Sequence, residues 1–206
     1  VFGAFPGFSS AGRYVAVTVN GQQFTMGNAK TGIPCGSGKA TLDTTTSPFT
    51  LTLDHAVINN EYRWTNSGIV YYCGIFGNSF APEGTPDINI KVIGNCSINV
   101  SEKTGLYTEN NGIFFNGSVN IFGDGSLTIN VGNSDKRASG IYTPHISVKD
   151  ITLKIDSDGL ALGWGSLSAT ADFDNAEMTL RGTDCVYDGS SKVTFTGYAP
   201  EKLLVS

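Results

Sequence analysis

The chain has 206 residues, is 40% hydrophobic and only 15% charged, and carries a net charge of −5. That apolar content suffices for one substantial core, and a single domain fits it better than two. Four scattered arginines (Arg13, Arg63, Arg137 and Arg181) form no basic face of the kind nucleic acid requires, and no run of about 18 apolar residues exists to span a membrane.

Residues 1–14 begin with a Gly-, Phe- and Ser-rich stretch and read as an N-terminal arm or cap, leaving 15–206 as the main domain. Val1 is preceded by neither an initiator Met nor a hydrophobic leader, as expected of a segment trimmed of its targeting sequence. Val15, Val17 and Val19 alternate cleanly and predict the first strand. Ala40 and Leu42, followed by Phe49, Leu51 and Leu53, lead into the first of five similar units.

Each unit holds two apolar-x-apolar triplets. In chain order they are Leu51-Thr-Leu53 with Ala56-Val-Ile58, Ile88-Asn-Ile90 with Cys96-Ser-Ile98, Val119-Asn-Ile121 with Leu127-Thr-Ile129, Ile146-Ser-Val148 with Ile151-Thr-Leu153, and Ala171-Asp-Phe173 with Met178-Thr-Leu180. A Gly-apolar step follows in four of them: Gly68-Ile69, Gly112-Ile113, Gly140-Ile141 and Gly159-Leu160. Successive units start 37, 31, 27 and 25 residues apart. A recurrence in this range marks a solenoid, in which no turn can bury its apolar face alone. Near the end, Val193-Thr-Phe195 and Leu203-Leu-Val205 are expected to close the open end of the stack.

Apolar residues alternate at period two within the units, which places them on one face of an extended chain. No window sustains a helical stripe, and the 26 glycines and β-branched apolar residues disfavour helix. The strands are short and broken by corners such as Gly123-Asp-Gly125 and Asp156-Ser-Asp-Gly159. A parallel β-helix suits this better than a sandwich with its regular hairpins. Stacked turns would then place Ile90, Ile121 and Val148 in one interior row. The fold class read here is all-β, a single-stranded right-handed parallel β-helix with short terminal caps.

Cys35, Cys73, Cys96 and Cys185 allow disulfides in an exported protein. The simpler reading is buried thiols, because Cys96 fills an apolar slot equivalent to Ala56 and Leu127. With no CxxC spacing and only two His, nothing calls for a metal or another cofactor. Asp156-Ser-Asp-Gly159 starts like a calcium loop but lacks its later ligands, and reads as a corner.

The run Gly38-Lys-Ala-Thr-Leu-Asp43, continued by Phe49-Thr-Leu-Thr-Leu-Asp-His-Ala-Val-Ile58, resembles the opening of a family of exported right-handed β-helix proteins from gut bacteria. Gly123-Asp-Gly-Ser-Leu-Thr-Ile129 and Ser139-Gly-Ile141 resemble the family's internal turns. The similarity covers residues 15–182, and these proteins are described as adhesins or carbohydrate-binding domain proteins. It implies a pectate-lyase-like fold and an extracellular or cell-surface location, and it carries no catalytic residues. Many right-handed β-helix proteins do cleave acidic polysaccharides. Their hydrolase pattern of clustered Asp, Gly-His-Gly and Arg-x-Lys is missing, since His55 lies in Asp-His-Ala and His145 in Pro-His-Ile. The nearest thing to a lyase site, Arg181 with Asp184, reads as a surface pair just past a strand.

Sugar sites of non-catalytic proteins use exposed aromatic faces ringed by polar groups. The long insertion between Ile58 and Ile88 has that make-up, and insertions leave a repeat stack as loops. Tyr62, Arg63, Trp64, Tyr72 and Phe80 are the candidate binding residues there, with Trp164 of Gly-Trp-Gly as a separate one. Tyr71 and Phe76 can equally point inward as strand residues. The sequence thus predicts a non-catalytic, adhesin-like module that binds polysaccharide or host glycan through residues 59–86. The alternatives are a structural or protein-binding module of a larger surface protein and, third, a polysaccharide lyase or hydrolase.

Overall fold

The computed structural model describes residues 8–10, 13–79, 87–163, 170–182 and 192–196. Among them every regular element is a strand, and no helix is long and apolar enough to cross a membrane. The protein is all-β and is built mainly of parallel sheets.

Three sheets are visited in rotation. The first contains, in spatial order, Lys192–Thr196, Thr170–Asp174, His145–Lys149, Ser118–Gly123, Ile88–Ile93, Phe49–Asp54, Gly38–Asp43 and Ile33–Cys35. The second runs Glu177–Arg181, Thr152–Ser157, Ser126–Val131, Asn95–Val100 and Val57–Ile58. The third runs Phe8–Ser10, Arg13–Val19, Ile69–Ser79, Thr108–Phe115, Ala138–Tyr142 and Leu160–Gly163. From Ile88 onward each return to a sheet adds a strand parallel to the previous one. At the N-terminal side the pairing turns antiparallel: Gly38–Asp43 lies against Phe49–Asp54, and Arg13–Val19 against Ile69–Ser79. These strands therefore cover one end of the stack instead of beginning it.

In-register pairing places like over like. Leu51, Ile90, Ile121, Val148 and Phe173 form one continuous row in the first sheet. Ile58, Ile98, Ile129, Ile155 and Leu180 do the same in the second. Ile75, Ile113, Ile141 and Leu162 complete the set in the third, and all three rows are buried in one shared core. Each side chain taken out of water in this way contributes about 1.5–3 kcal/mol.

The register corrects two details of the sequence reading. Ile88 lies opposite Phe49, not opposite the Leu51 that begins the first triplet. The Gly-apolar column consists of Gly74-Ile75, Gly112-Ile113, Gly140-Ile141 and Ala161-Leu162. Gly68 and Gly159 fall instead in turns just before strands. The column needs small residues because a Cβ on Gly112 would overlap Ile129 of the second sheet and stand 2.5 Å from the Gly140 carbonyl oxygen. Arg181 pairs with Asp156 on the neighbouring strand, at 2.8 Å, while Asp184 lies outside the described residues.

Four of the five corners from the first sheet to the second turn on one residue in the left-handed region: His55, Gly94, Asp150 and Asn175, at φ 48°, 65°, 53° and 48°. Asn, Asp and His are the side-chain-bearing residues that enter this region most readily, which accounts for their presence here. His55 Nδ1 lies 2.7 Å from Asp54 Oδ1 and its ring rests over Gly94, so this histidine serves the corner. Cys96 is buried where its slot requires, its thiol 3.6 Å from the Leu53 carbonyl. Cys35 and Cys73 are buried and free as well, and Cys185 lies outside the described residues, as do Leu203 and Val205.

Two outcomes follow for stability. Ile121→Ala is expected to cost about 2–5 kcal/mol in chemical denaturation. At Asn175, a glycine should be tolerated whereas Asn175→Val should lose roughly 1–2 kcal/mol, because a β-branched side chain opposes positive φ.

Candidate functional site

Outer faces differ sharply among the three sheets. The first carries Thr50, Thr52, Asn89, Lys91, Asn120, Ser147 and Lys149, with Phe122 alone among them as an aromatic. The second carries Asn99, Asn130, Thr128 and Lys154. The third concentrates rings: Phe76, Phe114 and Tyr142 lie in register across three neighbouring strands.

The predicted aromatic loop is in fact a β-hairpin. Tyr62–Asn66 folds back antiparallel onto Ile69–Ser79 around a Ser67-Gly68 turn, in which both residues have positive φ. Alternation along a strand then sorts its side chains. Tyr62 and Trp64 project to the face that holds Phe76, with ring centroids 5.3 Å and 5.0 Å from it. Trp64 also meets Tyr71 at 5.0 Å and Phe114 at 5.9 Å. Phe114 is nearly parallel to Tyr142, 12° between planes and 5.2 Å between centroids. Phe76 and Phe114 are buried, while Tyr62, Trp64, Tyr71 and Tyr142 are half-buried around them. Such offset and tilted contacts add about 0.5–1.5 kcal/mol per pair beyond burial.

Arg63 and Tyr72 lie opposite each other on the reverse face of the hairpin. Lys103 Nζ sits 5.9 Å from the Tyr72 ring centroid and 3.9 Å from Glu61 Oε1. Glu61 is anchored in turn, since its Oε1 accepts hydrogen bonds from Ser101 N at 2.9 Å and Ser101 Oγ at 2.6 Å. Burial is the largest single influence on Glu61 and opposes its ionised form, but the two Ser101 bonds, its own backbone N–H and Lys103 together hold the carboxyl below its usual range. The structure therefore divides the sequence candidates. Tyr62 and Trp64 serve one face, Arg63 and Tyr72 the other, and Phe80 and Trp164 lie outside the described residues.

Two residues beside the rings carry no site signal in the linear sequence. Glu109 pairs with Tyr71 across the strands, and Arg137 stands one strand further on, next to the Asn110–Ala138 pair. Burial raises the Glu109 carboxyl above its ordinary value, partly offset by Arg137. Burial, helped by Glu109, pushes the Tyr71 hydroxyl up to about 12. Cys73 is fully buried behind Tyr62, and its thiol is raised chiefly by burial, with the Asn111 amide pulling the other way. Only the parallel register, which the sequence does not spell out, brings Glu109 to Tyr71 and Arg137 to Glu109.

Among the described residues no group of three or more His, Cys, Asp or Glu is placed to hold a metal ion. The two carboxylates of Asp156-Ser-Asp-Gly159 have protein partners. Asp156 pairs with Arg181, and Asp158 Oδ2 accepts the Asn133 backbone N–H at 2.9 Å.

No protein-family model, curated protein or solved structure matches the chain. Fold and surface together define a class: an all-β protein of stacked parallel strands with aromatic rings gathered on the outside of one sheet.

The raised Glu109 carboxyl has a measurable consequence. Its ionised form is disfavoured in the folded protein, so stability falls as pH rises from the ordinary Glu value through the raised one. Glu109→Gln should raise the thermal midpoint at neutral pH, and the gain should vanish once the pH drops below that of an ordinary glutamate.

Proposed function

We propose that the chain is a right-handed parallel β-helix that acts as a non-catalytic, adhesin-like module, exported and displayed at a bacterial surface, and binds glycan at the aromatic hairpin. Right-handed crossovers are the rule wherever parallel strands of one sheet are joined, which supports the handedness. The resemblance of its turns to the exported β-helix family and its low charge support the location.

One observation carries the binding reading: of three outer faces, two are polar and one gathers its rings into a half-buried cluster. Partly accessible Tyr and Trp rings offer the faces of sugar rings a stacking partner. Glu109, opposite Tyr71, and Arg137 next to it supply charged hydrogen-bonding groups for sugar hydroxyls at its margin. The non-catalytic part rests on the carboxylates being tied into the fold, Asp156 by Arg181, Asp174 by Lys149 and Asp43 by Thr45.

A second reading, a structural or protein-binding module of a larger surface protein, is favoured by the packing of Tyr62 and Trp64 on Phe76 and Phe114. Binding measurements separate the two. On an array of plant and host polysaccharides the protein should retain at least one glycan. Tyr62→Ala and Trp64→Ala should each weaken it roughly tenfold, about 1.4 kcal/mol, with the thermal midpoint recorded alongside. No bound glycan, or affinities unchanged in both variants, leaves the structural reading standing. Turnover of polygalacturonate would overturn the non-catalytic assignment.

A further inference from the structure

The outer face of the second sheet carries a row of polar side chains, one per strand: Asn99, Asn130, Asp156 and Arg181 stand in direct register. Asn59, just past Val57–Ile58, extends the row at its N-terminal side. The amides bond one to the next. Asn99 Nδ2 donates to Asn59 Oδ1 at 2.8 Å, and Asn130 Nδ2 donates to Asn99 Oδ1 at 2.7 Å. At the other end Arg181 grips Asp156 with both arms, Nε to Oδ1 at 3.0 Å and a terminal nitrogen to Oδ2 at 2.8 Å.

Between these halves the ladder breaks. On every earlier rung the amide oxygen accepts from the rung that follows. Asn130 Oδ1 is followed by Asp156, whose carboxylate has no N–H to give. The step therefore sets two acceptors side by side, and the second amide hydrogen of Asn130 and the Arg181 guanidinium stand close by as donors. A groove of about 500 Å³ runs over this step, bordered by Asn59, Asn99, Ser101, Asn130, Asp156 and Arg181.

We infer that this groove is a binding site for an extended neutral glycan, separate from the aromatic hairpin and independent of it. A sugar diol suits the step because each hydroxyl both donates and accepts. One could donate to Asn130 Oδ1 and its neighbour to Asp156, while their oxygens accept from Asn130 Nδ2 and Arg181. Strand spacing sets the rungs about 4.8 Å apart, close to the length of one pyranose unit, so successive sugars can follow successive rungs. The amides are held by their own ladder, so little side-chain freedom is lost on binding. Asp156, with Asp158 next to it, disfavours acidic sugars.

The test is an NMR titration of the labelled full chain with neutral hexasaccharides of β-1,4-glucose, β-1,4-mannose and α-1,4-glucose. At least one should shift the side-chain resonances of Asn130 and Arg181 Nε at millimolar concentration. Asp156→Asn supplies the missing donor and completes the ladder. It should keep the fold, since the ion pair it removes is largely exposed, and should weaken binding at least tenfold. The inference is overturned if none of the three sugars moves those resonances, or if D156N binds as well as the parent. The Trp64 indole resonance reports the hairpin separately, so failure at either surface is read without the other.

Discussion

Parallel pairing in register is the constraint on which the rest of this structure depends. It leaves no freedom in what sits above what: a residue that faces the core on one strand fixes the direction of its counterparts on all the others. Buried rows of Leu, Ile, Val and Phe result on the inside. The same rule acts on the outside, where it aligns rings with rings on the third sheet and amides with amides on the second. Surface chemistry in this protein is consequently organised in columns, and each column has its own character.

The interior columns were plain in the sequence because apolar alternation is a local signal. Ile90, Ile121 and Val148 could be placed in one row from spacing alone, and they do pair. The Gly column was harder. Gly68-Ile69 imitates the pattern of Gly112-Ile113 in letters, but the hairpin inserted ahead of it shifts the true counterpart to Gly74-Ile75. Antiparallel strands at the N-terminal side were also missed as such, since strand direction leaves no trace in composition.

The candidate surface was half legible. Density of aromatic residues drew attention to the stretch that builds the ring cluster, but the sequence suggests a loop where a hairpin forms, and a hairpin sends neighbouring residues to opposite faces. Tyr62 and Trp64 are thereby separated from Arg63 and Tyr72, although all four lie within eleven residues. Glu109 and Arg137 stayed hidden for the converse reason: distant in the chain, they are brought beside Tyr71 only by register. Arg181 was noticed without Asp156, because that carboxylate comes from the neighbouring strand, distant in the chain.

The corners are unequal. Between the first and second sheets the chain always turns within one or two residues, from Asp54 to Val57 as from Asp174 to Glu177. Between the second and third sheets the link shrinks from 101–107 to 132–137 and then to 158–159. One edge of the molecule thus behaves as a fixed spine while the other carries variable margins. Segments could be lengthened, shortened or exchanged along those margins without disturbing the spine, which would let a common framework acquire new recognition surfaces by altering only the links on its far side.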